Sequence, residues 1–67
     1  MKEKLGDRVR ELRREKGLTQ RDLAKMTGIT SIGKIEVNEG TVSLKNLEKL
    51  ANFFNCSTDY LLGRVDE

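Results

Sequence analysis

Apolar positions recur at helical spacing along most of the chain. Leu5, Val9 and Leu12 stand at i, i+4 and i+7 with charged side chains almost everywhere between them, which predicts an amphipathic first helix over residues 2–16. Gly17 stops it, because glycine takes the left-handed conformation that closes a helix and Leu18 can fold back onto the last turn. Thr19 then reads as an N-cap, with Asp22 three positions on as its partner, opening a short second helix, TQRDLAKMT, that buries Leu23 and Ala24. Gly28 ends that helix, and Thr30 reads as the N-cap of a third segment holding Ile32 and Ile35. The stretch from Glu36 to Val42 contains Asn38 and Gly40, lacks helical patterning and reads as a loop. Ser43 caps the longest amphipathic run, LKNLEKLANFF, in which Leu44, Leu47, Leu50, Ala51 and Phe54 share one face. Asn55 is placed to close it, and Ser57 caps a last short helix through Tyr60, Leu61 and Leu62 to Gly63.

Five short helices around one core predict an all-α class. Composition agrees: proline is absent and only Phe53, Phe54 and Tyr60 are aromatic, which disfavours long strands bounded by proline turns. The 67 residues suit a single domain, and one of that size buries only about 60% of the surface its unfolded chain exposes. No repeat or linker divides it. No apolar stretch nears the roughly 20 residues of a bilayer span, and the charged start MKEKLGDR leads into no signal-peptide core, so a cytoplasmic location and no membrane partner are expected. The single cysteine, Cys56, forms no internal disulfide, in keeping with a reducing compartment. It admits two roles, packed hydrophobe or redox switch, and its place after an apolar helix end favours the first.

Net charge is +2, but residues 1–25 hold nine Lys/Arg against five Asp/Glu, whereas residues 26–67 hold four against six. That asymmetry suits a polyanion lying against the N-terminal helices, although a mixed-charge helix face is also what plain solvation produces. Asp7 with Arg10 and Glu11 with Arg14 are i, i+3 pairs on the wet side of helix 1. There is no histidine, no cysteine cluster and no phosphate-binding glycine loop, so no enzyme, metal or cofactor is expected. Helices 2 and 3, joined by a tight glycine turn over about residues 19–37, have the spacing of a helix-turn-helix unit, and equally that of an ordinary αα-hairpin.

The wording of several blocks separates the two. V-x-x-L-R at Val9–Arg13, GLTQRDLA at Gly17–Ala24, Gly28, IGKIE at Ile32–Glu36, SLKNLEKLA at Ser43–Ala51 and STDYLLG at Ser57–Gly63 come in an order that resembles the Cro/cI class of repressors, the XRE-type or lambda-repressor-like domains. The resemblance implies a compact five-helix domain with helices 2 and 3 as its helix-turn-helix. It also implies that Gln20, opening helix 2, touches a phosphate or steadies the recognition helix, and that the N-cap Thr19 is a DNA-binding residue beside it. Arg21 would add a phosphate contact, with Arg13 a weaker candidate. Base reading would fall to Thr30, Ser31 and Lys34. Gly33 admits two readings by its own chemistry, a glycine that costs the helix about 1 kcal/mol relative to alanine or one that allows close approach to the DNA backbone. Asn38 and Lys45 would be secondary phosphate contacts. The implied function is a sequence-specific transcriptional regulator, a repressor that binds palindromic double-stranded DNA as a homodimer through the last helix and tail, where Tyr60, Leu61, Leu62 and Val65 lie.

One departure bears on this. The family usually places three residues between the Ser/Thr after the turn and the first buried isoleucine of helix 3, whereas here only Ser31 separates Thr30 from Ile32. Losing two residues rotates the rest of the helix by about 200° unless the turn absorbs it. Ile32, Ile35 and Glu36 keep the family register, so the shortening is expected in the turn and the first helical residues. It also keeps open a second reading, a repressor-like module that binds another protein, such as an anti-repressor or a toxin, and touches DNA weakly.

Overall fold

The computed structural model describes residues 4–65, which form α1 (Leu5–Glu15), α2 (Gln20–Thr27), α3 (Ile32–Glu36), α4 (Leu44–Phe54) and α5 (Thr58–Leu61), with no strand among the described residues. The beginnings of α2, α4 and α5 follow from their caps: the hydroxyls of Thr19, Ser43 and Ser57 accept from the backbone N–H of Asp22, Asn46 and Tyr60, respectively. At α2 the cap is reciprocal, since the Asp22 carboxylate accepts from the Thr19 N–H at 3.0 Å.

The ends are equally uniform. Each helix is followed by a residue of positive φ: Gly17, Gly28, Asn38, Asn55 or Gly63. After four of the five, two N–H groups fold back to the last-turn carbonyls; after α1, Gly17 reaches Arg14 at 3.0 Å and Leu18 reaches Arg13 at 3.1 Å.

Val9, Leu23, Ile29, Ile32, Ile35, Leu47, Leu50, Ala51, Phe54 and Leu61 form the buried core, with Leu5, Leu12, Ala24, Val42, Phe53 and Cys56 packed at its edge. α1 lies against α3 and α5, α2 against α3 and α4, and α4 against α5, so α3 is held from both sides by α1 and α2. Arg8 is also drawn inward: its guanidinium stacks 4.2 Å from the Tyr60 ring centroid and donates to the Val65 carbonyl, tying α1 to the C-terminal segment.

Four details differ from the periodicity. α1 starts at Leu5 rather than residue 2; Lys4 is extended, and its N–H is taken by the Asp7 carboxylate at 3.3 Å, while residues 2 and 3 lie outside the described range. Leu44 is 69% exposed because, as the first residue of α4, it stands beyond the packed layer that Leu47 begins. Thr30 does not cap α3. Ser31 precedes that helix instead, with φ −101° and ψ 27°, outside the extended region in which an N-cap hydroxyl usually aims at the helix, and its side chain makes no cap bond. The reason lies in Ile29, which is buried as fully as Ile32 and carries the chain inward before the helix begins. Thr27 shapes the turn, donating to the Leu23 carbonyl at 2.8 Å and accepting from the Ile29 N–H at 3.3 Å. Lastly, Glu36 belongs to α3 and not to the loop.

Candidate nucleic-acid interface

The element pair α2–α3 is fixed from below by charge. Glu36 is 1% exposed on the face shared with Ile32 and Ile35, a position that would be costly for a carboxylate left alone. Arg13 supplies the partner: its Nε and Nη2 donate to the two carboxylate oxygens as a fork, and its Nη1 donates to the Leu18 carbonyl at 2.8 Å. The Gln20 amide adds a third donor to Glu36, at 3.1 Å. Burial alone pushes the Glu36 carboxyl up, but the hydrogen bonds from Arg13 and Gln20 and the guanidinium charge outweigh it and hold the carboxyl below the usual range. The hydrogen bond to Glu36 in turn pushes Arg13 up.

This settles several side chains. Arg13 faces inward, which removes it as a phosphate contact. Gln20 opens α2 and its amide reaches back to α3; a Cβ built on Gly33 would lie 3.5 Å from the Gln20 Oε1, so the glutamine lies along the start of α3. The backbone N–H of Asp22 is capped by Thr19, leaving the amides of Gln20 and Arg21 at the open, positive end of α2. Hydrogen bonds to the Thr19 N–H and hydroxyl hold the Asp22 carboxyl below its ordinary range, with Lys25 and Arg21 adding charge. Arg21, Thr30, Gly33 and Lys34 are exposed and Ser31 is half-buried. Among the described residues, neither Arg21 nor Lys34 enters an ion pair.

Asn38 and Lys45 are less closely joined to this surface. Asn38 is exposed with φ 61°, and its Oδ1 accepts from the Gly6 N–H at 2.9 Å, so its oxygen is spent holding the start of α1. Lys45 stands exposed on the first turn of α4, with no hydrogen bond or ion pair to α2 or α3 among the described residues. The basic excess of the N-terminal half is partly consumed internally as well: Arg8 and Arg13 point inward, and Arg10 pairs with Asp7 at 3.1 Å. Among the described residues, Glu11 and Arg14 form no such pair.

Sequence reading gives Glu36 only a place in the register of helix 3, without its partner Arg13, and does not single out Gly6. Glu36 stands at i+4 from Ile32, on the apolar face of its helix, and that spacing was the available signal. Gly6 is buried where α1 meets the carbonyls of Ile35 and Glu36. Cys56 is half-buried, and burial pushes its thiol up, away from thiolate reactivity, as expected of a packed hydrophobe.

Residues 9–61 match the Helix-turn-helix family. The chain belongs to that family, of the XRE type. It is 41% identical over 59 residues to the SPbeta prophage-derived uncharacterized HTH-type transcriptional regulator YonR of Bacillus subtilis, covering 85% of this chain and 55% of that protein. With the HTH-type transcriptional regulator ImmR of the same organism, identity is 37% over 62 residues, covering 90% of this chain and 49% of that one. The chain therefore spans about half the length of these two curated relatives. With the control protein C.SmaI of Serratia marcescens, identity is 39%, covering 96% of this chain and 79% of the relative. Among solved structures, the P22 c2 repressor in complex with a synthetic operator superposes with a TM-score of 0.83 at 34% identity, over 90% of this chain and 94% of that one. The expected five-helix, lambda-repressor-like fold is thereby confirmed, and the family is one of transcriptional regulators rather than enzymes.

Proposed function

We infer that this chain is a sequence-specific DNA-binding regulator, acting as a repressor on a palindromic operator. The observation that carries the reading is the α2–α3 pair itself, locked from beneath by Arg13, Glu36 and Gln20 and offering Arg21, Thr30, Ser31, Gly33 and Lys34 outward. The amides at the open end of α2 and the Arg21 guanidinium suit phosphates, while the turn hydroxyls and Lys34 suit base edges in the major groove. Lys45, and the Asn38 amide nitrogen, would add outlying phosphate contacts. The likeness to a repressor solved on operator DNA supports the same placement.

One five-residue helix reads few bases, so useful specificity calls for two copies on half-sites about 34 Å apart. The surface for pairing is the C-terminal segment. Leu61 belongs to the core, whereas Leu62 and Val65 are exposed beside Tyr60. Repression then results from occupying DNA that polymerase needs, and the compartment of action is the cytoplasm.

Selection from random duplex DNA at two salt concentrations tests this. An enriched pair of half-sites is expected, with affinity falling about a thousandfold between about 50 and 200 mM salt for some six phosphate contacts. Salt-sensitive retention without an enriched sequence would contradict base reading. The brevity of α3 favours one rival, a protein-binding module of the same fold, and no DNA retention near physiological salt would put that reading in its place.

A further inference from the structure

We propose that Val37 is a base-reading residue, packing against the C5-methyl group of a thymine beside the base pair taken by Lys34. The proposal rests on the DNA-binding reading and deepens it.

α3 has little to show a ligand. Of its five residues, Ile32, Ile35 and Glu36 are buried and Gly33 has no side chain, so Lys34 alone projects from the helix proper. The helical path nevertheless continues one residue further, because the Val37 N–H still donates to the Gly33 carbonyl at 3.3 Å. At about 100° per residue, with Ile32 as origin, Gly33 lies at about 100°, Val37 at about 140° and Lys34 at about 200°. The buried three cluster on the other side. Val37 is thus central on the outward face, and it is 58% exposed.

On a face that enters the major groove, an exposed valine beside Lys34 is complemented by a small apolar group. Thymine supplies the one such group on the major-groove edge of a base pair, while Lys34 suits the O6 and N7 acceptors of guanine. Reach is sufficient: with a rise of about 1.5 Å per residue, Val37 lies about 4.5 Å beyond Lys34 along the axis, well inside a groove about 12 Å wide. The bare backbone at Gly33 lets this face approach the base edges without a side chain in the way.

The test uses the full chain and the duplex recovered by selection. Each thymine is replaced in turn by uracil, which removes only the methyl group, and binding is measured for the wild type and for Val37→Ala. The wild type should lose about fourfold for each half-site at one thymine adjoining the Lys34-dependent base pair. Val37→Ala should lose about as much on the thymine duplex and nothing further on the uracil duplex. Because Val37 is exposed, the variant should melt at the wild-type temperature, which separates a binding effect from unfolding. Indifference of the wild type to every thymine methyl, or full methyl sensitivity retained in Val37→Ala, would overturn the role of Val37 while leaving DNA binding intact. Failure to enrich any sequence would instead remove the reading beneath it, and the proposal with it.

Discussion

Gly6→Ala gives a clean test of how α1 docks on α3, because local and tertiary effects have opposite signs. In an exposed helix interior, alanine for glycine stabilises by up to about 1 kcal/mol. At Gly6 the added Cβ would meet the Ile35 carbonyl oxygen and come within 2.7 Å of the Glu36 carbonyl and 2.8 Å of the Asn38 Oδ1. Two of these are backbone atoms of α3, which cannot swing aside as a flexible side chain does. Relieving the overlap means moving α1 off α3, at about 1–3 kcal/mol for overpacking, and stretching the Gly6–Asn38 hydrogen bond, worth about 1 kcal/mol. The net expectation is a loss of about 2 kcal/mol. In a domain of this size that lowers the melting temperature by roughly 8–16 °C, read by thermal unfolding with circular dichroism. A Gly6→Ala protein that melts at or above the wild-type temperature would refute the close approach.

Gly33→Ala is the natural contrast: its Cβ would meet the Gln20 Oε1 at an ordinary 3.5 Å, so the melting temperature should rise, and a simultaneous loss of duplex affinity would show that the bare backbone matters to DNA. Glu36→Ala strands the Arg13 guanidinium and should cost about 3–5 kcal/mol by denaturant unfolding, whereas the double change Arg13→Met with Glu36→Leu should recover much of that loss. Stability should also fall in acid. The carboxyls of Glu36 and Asp22 are held below their unfolded values, so the stability they contribute is complete above the ordinary carboxylate pKa of about 4 and is lost as pH falls through the depressed folded values. A flat unfolding profile through that window would contradict the Glu36 assignment.

Local signals carried most of the architecture. The caps at Thr19, Ser43 and Ser57 and the left-handed closures at Gly17, Gly28, Asn55 and Gly63 depend on a few adjacent residues, so they could be read from the chain directly. What stayed hidden joins distant positions. Arg13 and Glu36 are 23 residues apart, and Gly6 and Asn38 are 32 apart, so no periodicity reveals that two charges and a glycine shape one junction. The start of α3 was misplaced for a related reason: Thr30 has the right chemistry for a cap, but burial of Ile29 decides where the helix begins. The proposed DNA-facing residues were legible chiefly through the family resemblance, and the structure adds which are spent elsewhere, Arg13 on Glu36 and the Asn38 oxygen on Gly6.

The outward face of α2 and α3 is proposed to meet duplex DNA. Titrating a selected duplex into isotopically labelled protein, with backbone amides observed by NMR, tests it most directly. The largest shifts are expected at residues 19–23 and 30–37, with smaller ones at Lys45 and, on pairing, around Leu62 and Val65. Shifts confined to the C-terminal segment, or none on α2 and α3 while DNA is bound, would contradict it.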